Sequence, residues 1–266
     1  MDYAICARRE QDASLIADPL FWLAAVPGVL LFGISKGGFA GGFGIVTVPL
    51  MALAISPMQA AAILLPILLA MDVGAVLAYR KTWDRGLMKV LLPAGLLGTV
   101  IGTFTFRLLS AEVIKLLLGA IAIGFVLYRV LRRTASAQAA ARPSIAKGAF
   151  WATLSGLTSF VAHAGGPPLS VYLLPLRMPP TLLVGTVVML FAALNWSKVL
   201  PYWWLGLFSA QNFATSAALV PVGLAGVALG VWLHKRVDEK LFYRLVYAFL
   251  LLTGLKLLWD GLRAIA

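Results

Sequence analysis

The candidates for chemistry in this sequence are polar side chains that interrupt long apolar stretches, namely Lys36, Asp72, His163 and Asn195. A charged side chain costs at least about 2.5 kcal/mol at the centre of a bilayer, so it needs a partner or a function there. Lys36 could neutralise a bound anion. His163 could donate a hydrogen bond to an oxyanion or exchange a proton near neutral pH.

Asp72 could carry a proton or act as the counter-charge of Lys36, and Asn195 is its polar partner in the second half of the chain. Three alternatives that involve no role in transport remain open. Lys36 could lie near the interface and extend its amine to water. The pair of Lys36 and Asp72 could be purely structural, and so could His163.

Two glycine-rich stretches surround these residues: GISKGGFAGGFG from Gly33 to Gly44 and SFVAHAGGPP from Ser159 to Pro168. We expect both to interrupt the helix, and new helices to begin near Phe43 and Pro167, where free N–H groups favour an anion. A tight helix crossing without a ligand is the alternative. The predicted substrate-binding residues are Lys36, Gly37, Gly38, Gly41, Gly42, His163, Gly165, Gly166 and Pro167.

The composition is that of a membrane protein, with 61% apolar residues, 12% charged residues and a mean hydropathy of +0.94. The net charge of +12 lies in short clusters between apolar segments, which argues against nucleic-acid binding. A single cysteine, Cys6, cannot form an internal disulfide or a thiolate metal site. No phosphate-binding loop, H-E-x-x-H pair or Ser/His/Asp set is present, so we predict no enzyme, cofactor or metal.

Ten apolar segments divide into two sets of five. We predict an all-α polytopic fold with a polar tail at 1–19, a first repeat at 20–131, a cytoplasmic linker at 132–145 and a second repeat at 146–266. The sequence PAGLLGTVIG at 93–102 recurs as PVGLAGVALG at 221–230. Such duplication is typical of transporters, and the glycines are expected to let a neighbouring backbone approach closely.

The first two apolar segments of each half are predicted to be short, at 20–34 and 44–56 and at 146–161 and 168–176. If each pair is a hairpin, three crossings remain per half and the halves are inverted. If each pair is one broken spanning helix, the halves are parallel. Basic clusters at 80–89, 129–147 and 235–244 favour the inverted arrangement with the amino terminus outside. On that topology Lys198 is expected near the outer interface.

The glycine-rich stretches and the repeated P-x-G-L-x-G-x-x-x-G motif resemble the TauE/SafE sulfite-exporter family of bacterial membrane permeases. The resemblance is carried by GISKGGFAGGFGIVTVPL from Gly33 and LTSFVAHAGGPPLSVYLLP from Leu157. It implies a bacterial cytoplasmic-membrane protein that moves, and commonly exports, sulfite or small organosulfonates. It also implies a role for the two glycine stretches, but none for Lys36, Asp72 or His163.

We therefore expect a secondary transporter of a small sulfur-containing anion that works by alternating access. The proton gradient, acting through Asp72 or His163, is the expected driving force if one is used. A passive anion channel and a non-transporting membrane scaffold are the alternatives. The expected partners are the substrate anion and the lipid bilayer, and a homodimer is left open.

Overall fold

The computed structural model of the chain describes residues 15–39, 44–106, 108–132, 141–233, 251–252 and 254–264. Within these ranges every regular element is helical and there is no strand. Five of the described helices are long and apolar enough to cross a membrane. Most of the predicted tail, Gly41 and Gly42, most of the linker and the basic cluster at 235–244 lie outside the described residues.

The helices of the two halves follow the same order. The first half comprises α1 Pro19–Gly38, a 3₁₀ helix Gly44–Val46, α2 Thr47–Met51, α3 Pro57–Tyr79, α4 Arg85–Phe106 and α5 Ala111–Arg132. The second half comprises α6 Ile145–Ala162, α7 Gly166–Leu173, a 3₁₀ helix Leu174–Leu176, α8 Pro180–Trp204, α9 Ala210–Leu233 and a helical segment at 254–264.

Local sequence signals explain where several of these helices begin. The Asp18 side chain accepts a hydrogen bond from the Leu20 N–H at 2.9 Å, ahead of α1. The Ser56 hydroxyl accepts from the Gln59 N–H at 3.2 Å, ahead of α3. Each helix then starts with a proline, whose missing N–H would have no intrahelical partner at that position.

The first segment of the first half is longer than predicted, whereas that of the second half matches its predicted range of 146–161 to within one residue at each end. Helix α1 has 20 residues and α6 has 18, so they extend about 30 Å and 27 Å. The chain stays helical through Gly33, Gly37 and Gly38 because α1 packs directly against α9. A side chain at Gly33 or Gly37 would overlap backbone carbonyl oxygens of α9, so these glycines serve close packing.

The second element of each half returns along the first. In the first half the Thr47 hydroxyl donates to the Gly28 carbonyl at 2.7 Å. In the second half the Ser155 hydroxyl donates to the Gly165 carbonyl at 2.7 Å, and a side chain on Gly148 would meet the Tyr172 ring. Both pairs are therefore hairpins.

Helices of one half pack against helices of the other half in two equivalent pairs. Helix α1 runs parallel to α9, since Gly33 meets Gly223 and Gly226 while Gly37 meets Val227. Helix α6 runs parallel to α4 in the same way, with Thr153 beside Gly98 and Phe160 beside Gly102. The repeated glycine motifs thus form equivalent contacts, each helix of the pair belonging to a different half.

Helices α3 and α8 meet between the halves and run antiparallel. Asp72 contacts Asn195, whereas Tyr79, further along α3, clusters with Val184 near the start of α8. Two equivalent hydrogen bonds hold these helices to the hairpins. The Tyr79 hydroxyl donates to the Gly37 carbonyl at 2.7 Å, and the Tyr202 hydroxyl donates to the Phe160 carbonyl at 2.6 Å.

Replacing Gly98 by Ala should destabilise the protein, because the added methyl would overlap the Thr153 carbonyl and separate α4 from α6. Overpacking of this kind costs about 1–3 kcal/mol or more. Thermal unfolding of the detergent-solubilised protein measures the effect. The matched control is Gly124→Ala in α5, where no atom lies within 4 Å of the added methyl and stability should be equal or higher. Equal melting temperatures for the two variants would contradict the packing assignment.

Candidate substrate-binding site

A small cavity lies between α1 and α3 of the first half and α6, α7 and α8 of the second. Its volume is about 30 Å³, room for one or two water molecules. Its wall is apolar apart from one face that carries four polar side chains. The lining residues are Phe32, Lys36, Leu68, Ser159, His163, Gly166, Val187, Val188, Phe191 and Asn195.

Lys36 and Asp72 form a buried ion pair beside this cavity. The Lys36 Nζ lies 2.5 Å from Asp72 Oδ1, and the two side chains are 6% and 2% exposed. The second oxygen of Asp72, Oδ2, accepts a hydrogen bond from Asn195 Nδ2 at 2.9 Å. One carboxylate oxygen is therefore in ion-pair contact with an ammonium and the other accepts a hydrogen bond, which together offset the cost of burying the charge.

Lys198 is a second buried cation, and its expected position near the outer interface is wrong. Its side chain has no exposed surface. Its Nζ donates to the Ser159 carbonyl at 2.8 Å, to the Ser159 hydroxyl at 2.7 Å and to Asn195 Oδ1 at 3.0 Å. It lies behind the cavity wall because it is on the same face of α8 as Asn195, three residues further on, where its amine reaches Ser159 on α6.

His163 ends α6 in a left-handed conformation, with φ of 50°. Its Nε2 lies 3.0 Å from the Ala61 carbonyl oxygen, and its Nδ1 lies 3.3 Å from Lys198 Nζ. A carbonyl oxygen can only accept, so Nε2 carries the proton. Nδ1 is then left with a lone pair facing Lys198, and the imidazole is neutral in this arrangement.

The structure brings four of the predicted site residues together at the cavity: Lys36, His163, Gly166 and Asn195. Asp72 lies directly behind Lys36, and Lys36 itself is buried instead of extending to water.

The other predicted positions that the structure describes do not line the cavity. Gly37 packs on α9, and the Gly165 carbonyl accepts from Ser155. Gly38 is the buried last residue of α1, and Pro167 lies in the first turn of α7. Gly41 and Gly42 lie outside the described residues, so the first glycine stretch is described here only at its two ends.

The two returning arms contact each other, because α7 packs against the 3₁₀ helix Gly44–Val46. The second arm begins at Gly166 as expected, with Pro167 and Pro168 in its first turn. The first arm begins as a 3₁₀ helix, and α2 itself has only five residues. The first arm thus becomes helical at Gly44, next to the expected Phe43, but through a 3₁₀ turn, whereas the second arm begins as an α-helix.

Sequence reasoning missed Ser159, Phe32 and Lys198. Ser159 had a usable signal, since it follows Lys36 by the same 123 residues that separate Asp72 from Asn195. Phe32 had none, because an aromatic residue in an apolar helix looks the same whether it faces lipid or a cavity. Among the described residues no three His, Cys, Asp or Glu side chains come together as a metal site would require.

The match to known proteins decides the family. The model of the family described as sulfite exporter TauE/SafE matches residues 25–257, a range that includes every residue lining the cavity and all but residues 19–24 of the two hairpins. The chain belongs to this family. No curated protein and no solved structure matches it significantly.

Membership confirms the resemblance carried by the two glycine-rich stretches and the repeated motif. The TauE/SafE chain is a membrane protein of a transporter family associated with sulfite and related sulfur compounds. In this setting the ion pair, Ser159 and His163 form the polar face of a buried cavity in a transport protein.

Replacing Lys36 by Met should destabilise the protein by about 3–5 kcal/mol, because it leaves the Asp72 charge buried without its cation. The double variant Lys36→Met with Asp72→Asn should recover much of this loss, since no charge is then uncompensated. Thermal unfolding in detergent measures both.

Lys256→Met is the control, because the Lys256 and Asp260 side chains are 58% and 31% exposed and their ion pair should contribute at most about 1 kcal/mol. A Lys36→Met variant as stable as this control would show that the buried pair contributes little to folding.

Proposed function

We propose that this TauE/SafE protein is a secondary transporter that moves a small sulfur-containing anion, sulfite or an organosulfonate, by alternating access. The observation that carries the proposal is the cavity between the halves, whose polar face combines Lys36 from the first half with Ser159 and His163 from the second. An ammonium and hydroxyl donors in an apolar surround suit a compact oxyanion. Family membership supports the sulfur chemistry.

The proposal includes an inverted arrangement of the two halves, with three full crossings in each. Three contacts support it: the antiparallel meeting of α3 and α8, the parallel pairs α1 with α9 and α4 with α6, and the hairpin form of both short arms. A two-fold axis perpendicular to the helices relates such pairs. The amino terminus then lies outside.

Two ends of the molecule support this topology. Asp84, Ala141 and Leu176 line one groove, so the basic loop after α3, the linker and the turn at Arg177 gather at one end. Phe104, Trp203 and Trp204 line an apolar surface at the other end. Basic loops inside and aromatic residues at the outer interface are the usual arrangement in cytoplasmic membranes.

The cavity volume supports a cycle with a closed state. A space for one or two waters is too small for a sulfonate, so the anion binds only when the halves move apart. Phe32 and Leu68 come from the first half, whereas Val187 and Phe191 come from the second, so rocking of the halves would open the cavity between them.

We place the coupling proton on His163, with Asp72 as the less suitable carrier. Protonation of Asp72 would remove the negative charge that pairs with Lys36. Protonation of His163 at Nδ1 would break only its contact with Lys198, which keeps the acceptors on Ser159 and Asn195. The charged groups around the imidazole are Lys198 on α8, Lys36 on α1 and Asp72 on α3, so arrival of an anion favours its protonation.

Sulfite or a sulfonate should stabilise the purified protein against heat, because only the folded state binds the anion. The gain is about 2.7 kcal/mol at a hundredfold excess over Kd. Chloride and acetate are the comparison anions. Proteoliposomes should then show saturable flux of the stabilising anion, and Lys36→Met should reduce both readouts. Single-channel currents would instead indicate a passive channel, and the absence of any stabilisation or flux would leave a scaffold.

An imposed pH gradient should drive net flux of the anion in proteoliposomes when its concentrations on the two sides are equal. His163→Gln should lose this response while exchange of labelled for unlabelled anion continues, since the amide can still hydrogen-bond but cannot titrate. Flux that follows the pH gradient equally well in His163→Gln would move the coupling proton to another group.

A further inference from the structure

We infer that Lys198 gives the closed site a net charge of +1 and thereby selects singly charged oxyanions, such as a sulfonate or hydrogen sulfite, over doubly charged ones such as sulfate. This inference rests on the proposed function and concerns the charge of the substrate. Three buried charged side chains carry it, together with the neutral His163 beside them.

The first step is the charge count. Among the residues that the structure describes, the buried lysines and carboxylates are Lys36, Asp72 and Lys198. Lys36 and Asp72 neutralise each other across 2.5 Å. The second half has no carboxylate at the equivalent place, because Asn195 replaces it there. Lys198 therefore has no counter-charge of its own.

The second step is the protonation of Lys198, which its hydrogen-bond partners determine. The Ser159 carbonyl can only accept. Asn195 must turn its Nδ2 towards the Asp72 carboxylate, so its Oδ1 faces Lys198 as an acceptor. His163 keeps its proton on Nε2 for the Ala61 carbonyl, so Nδ1 is an acceptor as well. These three groups act as acceptors and match the three N–H bonds of an ammonium, whereas a neutral amine has two. The Ser159 hydroxyl, which can accept or donate, is a fourth contact at 2.7 Å.

The third step connects this charge to the cavity. Lys198 does not line the cavity, but it contacts three residues that do: Ser159, His163 and Asn195. It is thus a positioning residue that holds three groups of the polar face and adds one positive charge behind them. An uncompensated buried charge is costly, and a bound monoanion removes that cost. A dianion would leave the site with an excess negative charge.

The repeat register shows where the imbalance arises. Positions 36, 72 and 75 of the first half correspond to positions 159, 195 and 198 of the second. The first half has Lys36 and Asp72 there, followed by Ala75, whereas the second has Ser159 and Asn195, followed by Lys198. Each half contributes one lysine, but only the first contributes a carboxylate.

The test measures binding of methanesulfonate and of sulfate to the full-length detergent-solubilised protein by calorimetry. The wild type should prefer methanesulfonate by about tenfold or more, as close charge pairs contribute that much in measured interfaces. Lys198→Met lowers the site charge to zero and should weaken methanesulfonate binding by about tenfold. Adding Asp72→Asn to that variant restores a charge of +1 through Lys36 and should recover methanesulfonate binding.

Asp72→Asn alone raises the charge to +2 and should shift the preference towards sulfate. This variant keeps Lys198, so it tests the inference even if Lys198→Met does not fold. Lys256→Met removes the same charge from an exposed site and should leave both affinities at the wild-type values.

If Lys198→Met combined with Asp72→Asn does not recover methanesulfonate binding, the net charge of the site does not select the anion, and Lys198 only packs. A preference unchanged in Asp72→Asn would overturn it as well. If the wild type binds sulfite and methanesulfonate, and the variants prefer methanesulfonate over sulfate to the same extent as the wild type, only this inference fails. If the wild type binds neither anion, the proposed function fails with it.

Discussion

The Asp72 carboxylate, buried where the two halves meet, is the group on which the rest of the site depends. One of its oxygens contacts the Lys36 ammonium of its own half, and the other accepts from the Asn195 amide of the opposite half. An ionised carboxylate away from water is stable only when both oxygens have donors. The register of α1 and α8 against α3 is therefore constrained by a single side chain.

The constraint extends along the network. Because Asn195 presents its amide to Asp72, its oxygen faces Lys198, and Lys198 in turn reaches Ser159 and the neutral face of His163. Each group has the hydrogen-bonding role that its neighbour leaves to it, so the orientation of one amide propagates across the interface between the halves. In a low-dielectric interior each of these contacts is stronger than it would be in water, so the ion pair and the hydrogen bonds of the network stabilise one another.

Close backbone packing makes this geometry attainable. The glycines of the repeated motif bring α4 against α6 and α9 against α1, and this places the ends of both hairpins beside α3 and α8. The same packing leaves a cavity of only about 30 Å³. On the proposed function, a cavity too small for the anion fits the closed, empty step of a transport cycle.

Composition and repeat register alone predicted an all-helical membrane chain in two related halves and put Asp72 and Asn195 at equivalent positions, whereas their hydrogen bond is a finding of the tertiary structure. Helix ends were less predictable: glycine usually interrupts a helix, yet Gly33 and Gly37 stay helical because the neighbouring α9 backbone occupies the space of a side chain. Lys198 shows the same limit. Its distance along the chain suggested the outer interface, and only the contact of α8 with α6 reveals that its amine is held inside by Ser159 and His163. Hydropathy and spacing indicate the environment in which a residue type is found on average. The neighbours that stabilise a buried charge come from distant segments of the chain, and only the tertiary structure brings them together.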